Sequence, residues 1–224
     1  QVYHIFYDYA LRSVEGQTLL PDAVTLNANM LAQLQRESDA IADPGVRAEA
    51  LRALAYFGVA QLAFGQALPS GFPAEAKALA DSEYALVSAA GGRALSPIFG
   101  YEIDYTLFTP RGHYTRSAEL ETYFMGMSWY GVAPFPLYES DGKTRDESSA
   151  MRAIIVATAL GRLPLADGGA LWENIYSTTS FFVGASDDLT PYQLAGVIDT
   201  VYGSSPDLNE LSDPDRLDRF YEAL

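Results

Sequence analysis

The 224 residues carry 29 Asp and Glu against 14 Lys and Arg, a formal charge of −15 and a pI near 4.3. Such a field repels phosphate backbones and anionic membranes, so nucleic acid is not expected as a partner. Hydrophobic residues make up 49%, which excludes a wholly disordered chain, and the lack of cysteine removes disulfides, thiolate metal sites and a cysteine nucleophile.

Helical punctuation recurs along the chain. An aromatic-rich segment at 3–15 is expected to end at Gly16, and a second helical pattern runs from Pro21 to Ala42 with Leu26, Met30, Leu31 and Leu34 on one face. Asp43-Pro44 supplies a capping side chain and a proline suited to a first helical turn. The following helix, about 45–64, has a stripe of Leu51, Leu54, Ala55, Gly58 and Leu62, yet Tyr56, Phe57 and Val59 lie off it. That pattern predicts a central helix buried nearly all round.

A loop with Pro69, Gly71 and Pro73 leads to a helix over 74–89, stopped by Gly91 and Gly92. Residues 93–115 have no helical period and contain Pro97, Gly100, Pro110 and Gly112. They predict a long irregular loop, a feature that is functional or braced by packing. Helices are expected at 117–130, 146–161 and 168–183, with a loop at 134–144 between the first two. Thr190-Pro191-Tyr192-Gln193 joins a capping box to a proline at the first helical position, and Ser212 or Asp213 before Pro214 starts the last helix. No alternating strand of five or more residues stands out. The expected fold is all-α: a single multi-helix globular domain over 1–224, of roughly eight to ten helices.

Several signatures fail on inspection. Gly142-Lys143-Thr144 resembles the end of a phosphate-binding loop, but Leu137 stands where its first glycine belongs. Gly184-Ala185-Ser186-Asp187-Asp188 begins like a nucleophile elbow and then has Asp in place of glycine. His4 and His113 are the only histidines, so a zinc site is not expected. Asp187 and Asp188 could offer oxygens to calcium, although two acids ahead of a helix are more often capping and dipole partners. No cofactor is expected.

The densest chemistry lies at 99–115, where Glu102 and Asp104 are candidate general acids or bases. Arg111 and His113 would bind an anionic or hydroxylated ligand, with Tyr105 and Tyr114 beside them, and His113 is a catalytic candidate too. The competing reading has Arg111 pairing with an acid and His113 bonding backbone, together bracing the loop. Glu173 is a further catalytic candidate, as one member of a carboxylate pair. Leu217, Phe220, Tyr221 and Leu224 recur at helical spacing, a stripe expected to meet a protein partner or a second copy.

Ser96-Pro-Ile-Phe-Gly100, Asp104-Tyr105, Phe108-Thr-Pro-Arg-Gly-His-Tyr-Thr115, Glu119-Leu120, Tyr123-Phe124 and Trp129-Tyr-Gly131 together resemble a bacterial and archaeal family of unknown function, DUF3160. Leu171-Trp172, Tyr176, Phe182-Val-Gly184 and Asp188-Leu-Thr-Pro-Tyr192 extend the likeness over most of the chain. The resemblance implies larger exported proteins, often lipoproteins, with no established activity or catalytic residues. It thereby implies an extracytoplasmic setting and a longer parent polypeptide. The functional expectation is an extracytoplasmic binding or structural and assembly protein that meets another protein chain or a glycan. The alternative is a carboxylate-dependent hydrolase with a cleft lined by 93–115.

Overall fold

The computed structural model describes residues 2–184 and 186–224, with side chains from Phe6 onward. The side chain of His4 and all of Ala185, the second residue of the elbow-like run, lie outside the described residues. In chain order the helices are α1 (Val2–Val14), α2 (Leu20–Ala40), α3 (Pro44–Ala63), α4 (Ala74–Ala89), α5 (Ala118–Val132), α6 (Glu147–Arg162), α7 (Gly169–Val183), α8 (Pro191–Tyr202) and α9 (Pro214–Ala223). The fold is all-α, as expected.

The starts follow local chemistry. Asp43 accepts from Val46 N at 2.8 Å, Asp146 from Ser149 N at 2.8 Å and Ser117 from Leu120 N at 3.3 Å. Thr190 and Gln193 form the reciprocal capping box ahead of Pro191. These bonds satisfy N–H groups that have no partner within the helix.

Two expectations about element boundaries change. Gly16 does not stop the first helix. The chain passes through a π-helical turn at Glu15–Leu19 directly into α2, with Leu20 N–H bonding to Glu15 O. This widened turn sits just ahead of Pro21, which lacks the N–H that would continue the normal ladder. The segment 93–115 is not a plain loop. It contains a short antiparallel hairpin, β1 (Arg93–Leu95) with β2 (Glu102–Asp104), registered Arg93↔Asp104, Ala94↔Ile103 and Leu95↔Glu102. Two 3-10 turns follow, Tyr105–Phe108 and Gly112–Arg116. Three-residue strands are too short to show alternation in sequence.

α3 is the centre of the molecule, packed by α2, α4, α5 and α6. Tyr56, Phe57 and Val59 are as buried as Leu51 and Leu54. Gly58 lets α4 approach, since a Cβ there would lie 3.1 Å from that of Ala80. Trp129 of α5 is fully buried and donates from Nε1 to Tyr56 O at 2.9 Å.

The C-terminal stripe is covered by the chain itself. Leu217, Phe220 and Tyr221 are buried, and the Tyr221 hydroxyl donates to Leu137 O at 2.9 Å while Arg145 lies 4.6 Å from its ring centre. Leu224 alone is 43% exposed. The expected docking stripe is an internal packing face, because α8 and the 134–146 segment close over α9. Among the described residues no helix is long and apolar enough to cross a membrane.

Candidate functional site

The acids of the 99–115 segment separate into different tasks. Glu102 is exposed on β2. Asp104 caps the 3-10 turn, accepting from Thr106 N at 3.1 Å and Thr106 Oγ1 at 2.6 Å. The side-chain bond from Thr106, then its backbone N–H, holds this carboxyl below the usual range. Tyr105 is buried and gives its hydroxyl to Glu83 of α4. Burial first, and then the bond to Glu83, raises the Tyr105 pKa far above the ordinary phenol value.

Glu83 was not legible as part of this segment. It is fully buried, and it accepts from Ser96 Oγ at 2.5 Å and Ile98 N at 3.2 Å as well as from Tyr105. One carboxylate from α4 therefore gathers three donors from both sides of the hairpin. A second buried group acts nearby. Arg152 of α6 lies 3.1 Å from Glu49 and donates to Ile98 O at 3.1 Å, and Arg52 donates to the same carbonyl at 3.2 Å. Burial raises the Glu49 pKa and lowers that of Arg152, against their mutual attraction. The segment is braced by Glu83, Arg52 and Arg152, none of which the sequence pattern singles out.

Arg111 is exposed and makes no ion pair among the described residues. Pro110 and Gly112 carry the chain around at the surface, with Gly112 at φ +62°, so no acid is brought to the guanidinium. Arg111→Ala is expected to leave stability within about 0.5 kcal/mol, as for other surface positions. Urea denaturation checks this; a loss above ~1 kcal/mol would restore Arg111 as a brace.

His113 does brace, through a side chain rather than the backbone. Its Nε2 lies 2.7 Å from Glu15 Oε2, and the Tyr114 hydroxyl donates to Glu15 Oε1 at 2.8 Å. Glu15 is only 4% exposed and sits in the π-helical turn. Burial, followed by the bond to Glu15, raises the Tyr114 pKa. The Pro-Arg-Gly-His-Tyr-Thr motif thus delivers a His-Tyr pair to a buried carboxylate 98 positions away from His113 in the chain.

A wide concavity lies elsewhere. A groove of about 810 Å³ is walled by α2, α3, α5, α6 and α7 and by the start of α8. Its apolar lining includes Met30, Phe57, Phe135, Leu160, Trp172 and Leu194. Trp172 stacks on Tyr176 at 4.8 Å and 11° and meets Tyr192 edge-on at 5.0 Å. Asp187, Asp188 and Leu189 belong to its wall, whereas no Lys or Arg among the described residues does. Of the sequence candidates only Asp187 and Asp188 reach this groove. Glu102, Asp104, Arg111 and the exposed Glu173 do not, and Tyr114 lines a separate, adjoining cavity. Asp187 and Asp188 join no metal-holding cluster of His, Asp or Glu among the described residues. Asp188 instead exchanges hydrogen bonds with Ser186.

No curated protein and no solved structure matches the chain. The model of one family, described as a protein of unknown function (DUF3160), matches residues 1–224. With its whole length covered, the chain belongs to the DUF3160 family.

Proposed function

We propose that the chain is a binding protein whose groove seats an apolar segment of another protein chain. The observation that carries this reading is the groove of about 810 Å³, apolar along its walls and acidic at Asp187 and Asp188. Leu189, on its wall, is 53% exposed, as apolar side chains of docking surfaces are. Charge complementarity selects the occupant. With two acids, no cation in the lining among the described residues and a net charge of −15, the groove favours an apolar segment flanked by Lys or Arg. A glycan is the weaker fit, because Trp172, Tyr176 and Tyr192 pack on one another instead of presenting an open platform. The extracytoplasmic setting implied by the family is part of the same reading.

Fluorescence anisotropy with two labelled peptides tests it, one alternating Leu with Lys and one alternating Leu with Glu. The basic peptide is expected to bind about tenfold more tightly, and Trp172→Ala to weaken it by about tenfold, near 1.4 kcal/mol. Equal binding of both peptides, or binding untouched by Trp172→Ala, would overturn the assignment.

A further inference from the structure

A cavity of about 420 Å³ adjoins the groove and shares Met127, Tyr130 and Thr179 with it. Five aromatic residues line it, Tyr114, Tyr123, Phe124, Tyr130 and Phe182, together with one carboxylate, Glu15. No Lys or Arg among the described residues does. Glu15 accepts from Tyr114 on one oxygen and contacts His113 with the other. A carboxylate offers about four lone-pair sites, so Glu15, which lines the cavity, keeps acceptor capacity beyond these two contacts. Burial raises the pKa of the Tyr123 and Tyr130 phenols, so these rings stay neutral at ordinary pH.

The lining discriminates among ligand classes. Anions are repelled by Glu15 and by the field of the chain. A bare divalent ion requires six or more oxygens, and the wall supplies one carboxylate and no metal-holding cluster among the described residues. A purely apolar solute would bring no compensating charge to the Glu15 carboxylate. An organic cation meets every feature, with its charge at the carboxylate and its carbon shell against aromatic faces. We propose that this cavity binds an alkylammonium group held by Glu15 and enclosed by Tyr114, Tyr123, Tyr130 and Phe182. The π-helical turn gives this assignment independent support, since such turns inside α-helices recur at functional sites. Glu15 and Phe182 do not line the groove, so their variants separate this assignment from the groove reading, although Tyr130 lines both.

Calorimetric titration of the full chain with choline chloride and with 3,3-dimethylbutan-1-ol, its neutral carbon isostere, tests the charge requirement. Choline is expected to bind about tenfold more tightly. Glu15→Gln should abolish that preference, and Phe182→Leu should weaken choline severalfold while leaving the fold intact by circular dichroism. The two-ligand comparison on the unmodified chain holds even if Glu15→Gln fails to fold. Equal affinity for choline and the isostere, or no choline binding at millimolar concentration, overturns the proposal. Co-sedimentation with phosphatidylcholine vesicles separates the sources of the ammonium group. Pelleting that choline competes away assigns a lipid headgroup, and choline binding without pelleting assigns a free cation. Both outcomes uphold ammonium recognition.

Discussion

Gly126→Ala is expected to destabilise the protein by about 3 kcal/mol, measured as a lower urea midpoint with an unchanged slope. Gly126 lies within α5 where that helix crosses α3, and Phe64 at the end of α3 presses flat against it. A Cβ at 126 would stand 2.1 Å, 2.3 Å and 2.5 Å from three carbons of the Phe64 ring. Phe64 is 1% exposed, so the ring has nowhere to swing, and either the rotamer or the interhelical distance must give. Gly131 provides the control on the same helix. It is exposed, and an added Cβ meets nothing within 4 Å. Gly131→Ala should therefore stabilise by about 0.5 kcal/mol through backbone entropy alone. Similar effects at the two positions would show that helix propensity, not the α3–α5 contact, governs both.

Glu83→Ala is expected to cost about 4 kcal/mol. The substitution strands three buried donors at once, Tyr105 Oη, Ser96 Oγ and Ile98 N. Each unsatisfied group costs about 1–3 kcal/mol, and the sum is reduced because the three share one partner. Glu83→Gln keeps the shape but turns an amide N–H₂ toward a donor on one side, so an intermediate loss of about 2 kcal/mol is expected. Thermal unfolding of both variants, followed by helical circular dichroism, gives the comparison. If Glu83→Ala costs less than ~1 kcal/mol, water has replaced the carboxylate and the hairpin is not braced from α4.

The contrast between these positions shows what kinds of information a sequence holds. Gly126 and Gly131 are alike in sequence, five residues apart in one helix, and only the neighbour across the interface distinguishes them. The Pro-Arg-Gly-His-Tyr-Thr stretch stood out by composition, and His113 and Tyr114 do meet a carboxylate. That carboxylate is Glu15, however, whose place before Gly16 reads in the sequence only as the end of a helix. Arg111, the most conspicuous charge in the same motif, faces solvent. Asp187 and Asp188 were noticed as acids ahead of a helix, while their place in the wall of an apolar groove was not visible.

By itself the sequence determined the helical class, the central position of α3 and the starts set by Asp43, Ser117, Asp146 and Thr190. These features depend on hydrophobic period and on hydrogen bonds spanning three or four residues, so local spacing encodes them. The tertiary structure alone decided that the first helix runs on through a π turn and that α9 buries its stripe within the chain. It also decided that Glu15 meets His113, 98 positions away, and that Glu83 holds the hairpin. Such pairings are set by where one packed helix lies against another, and acids with the same local spacing are capped, exposed or buried according to that packing.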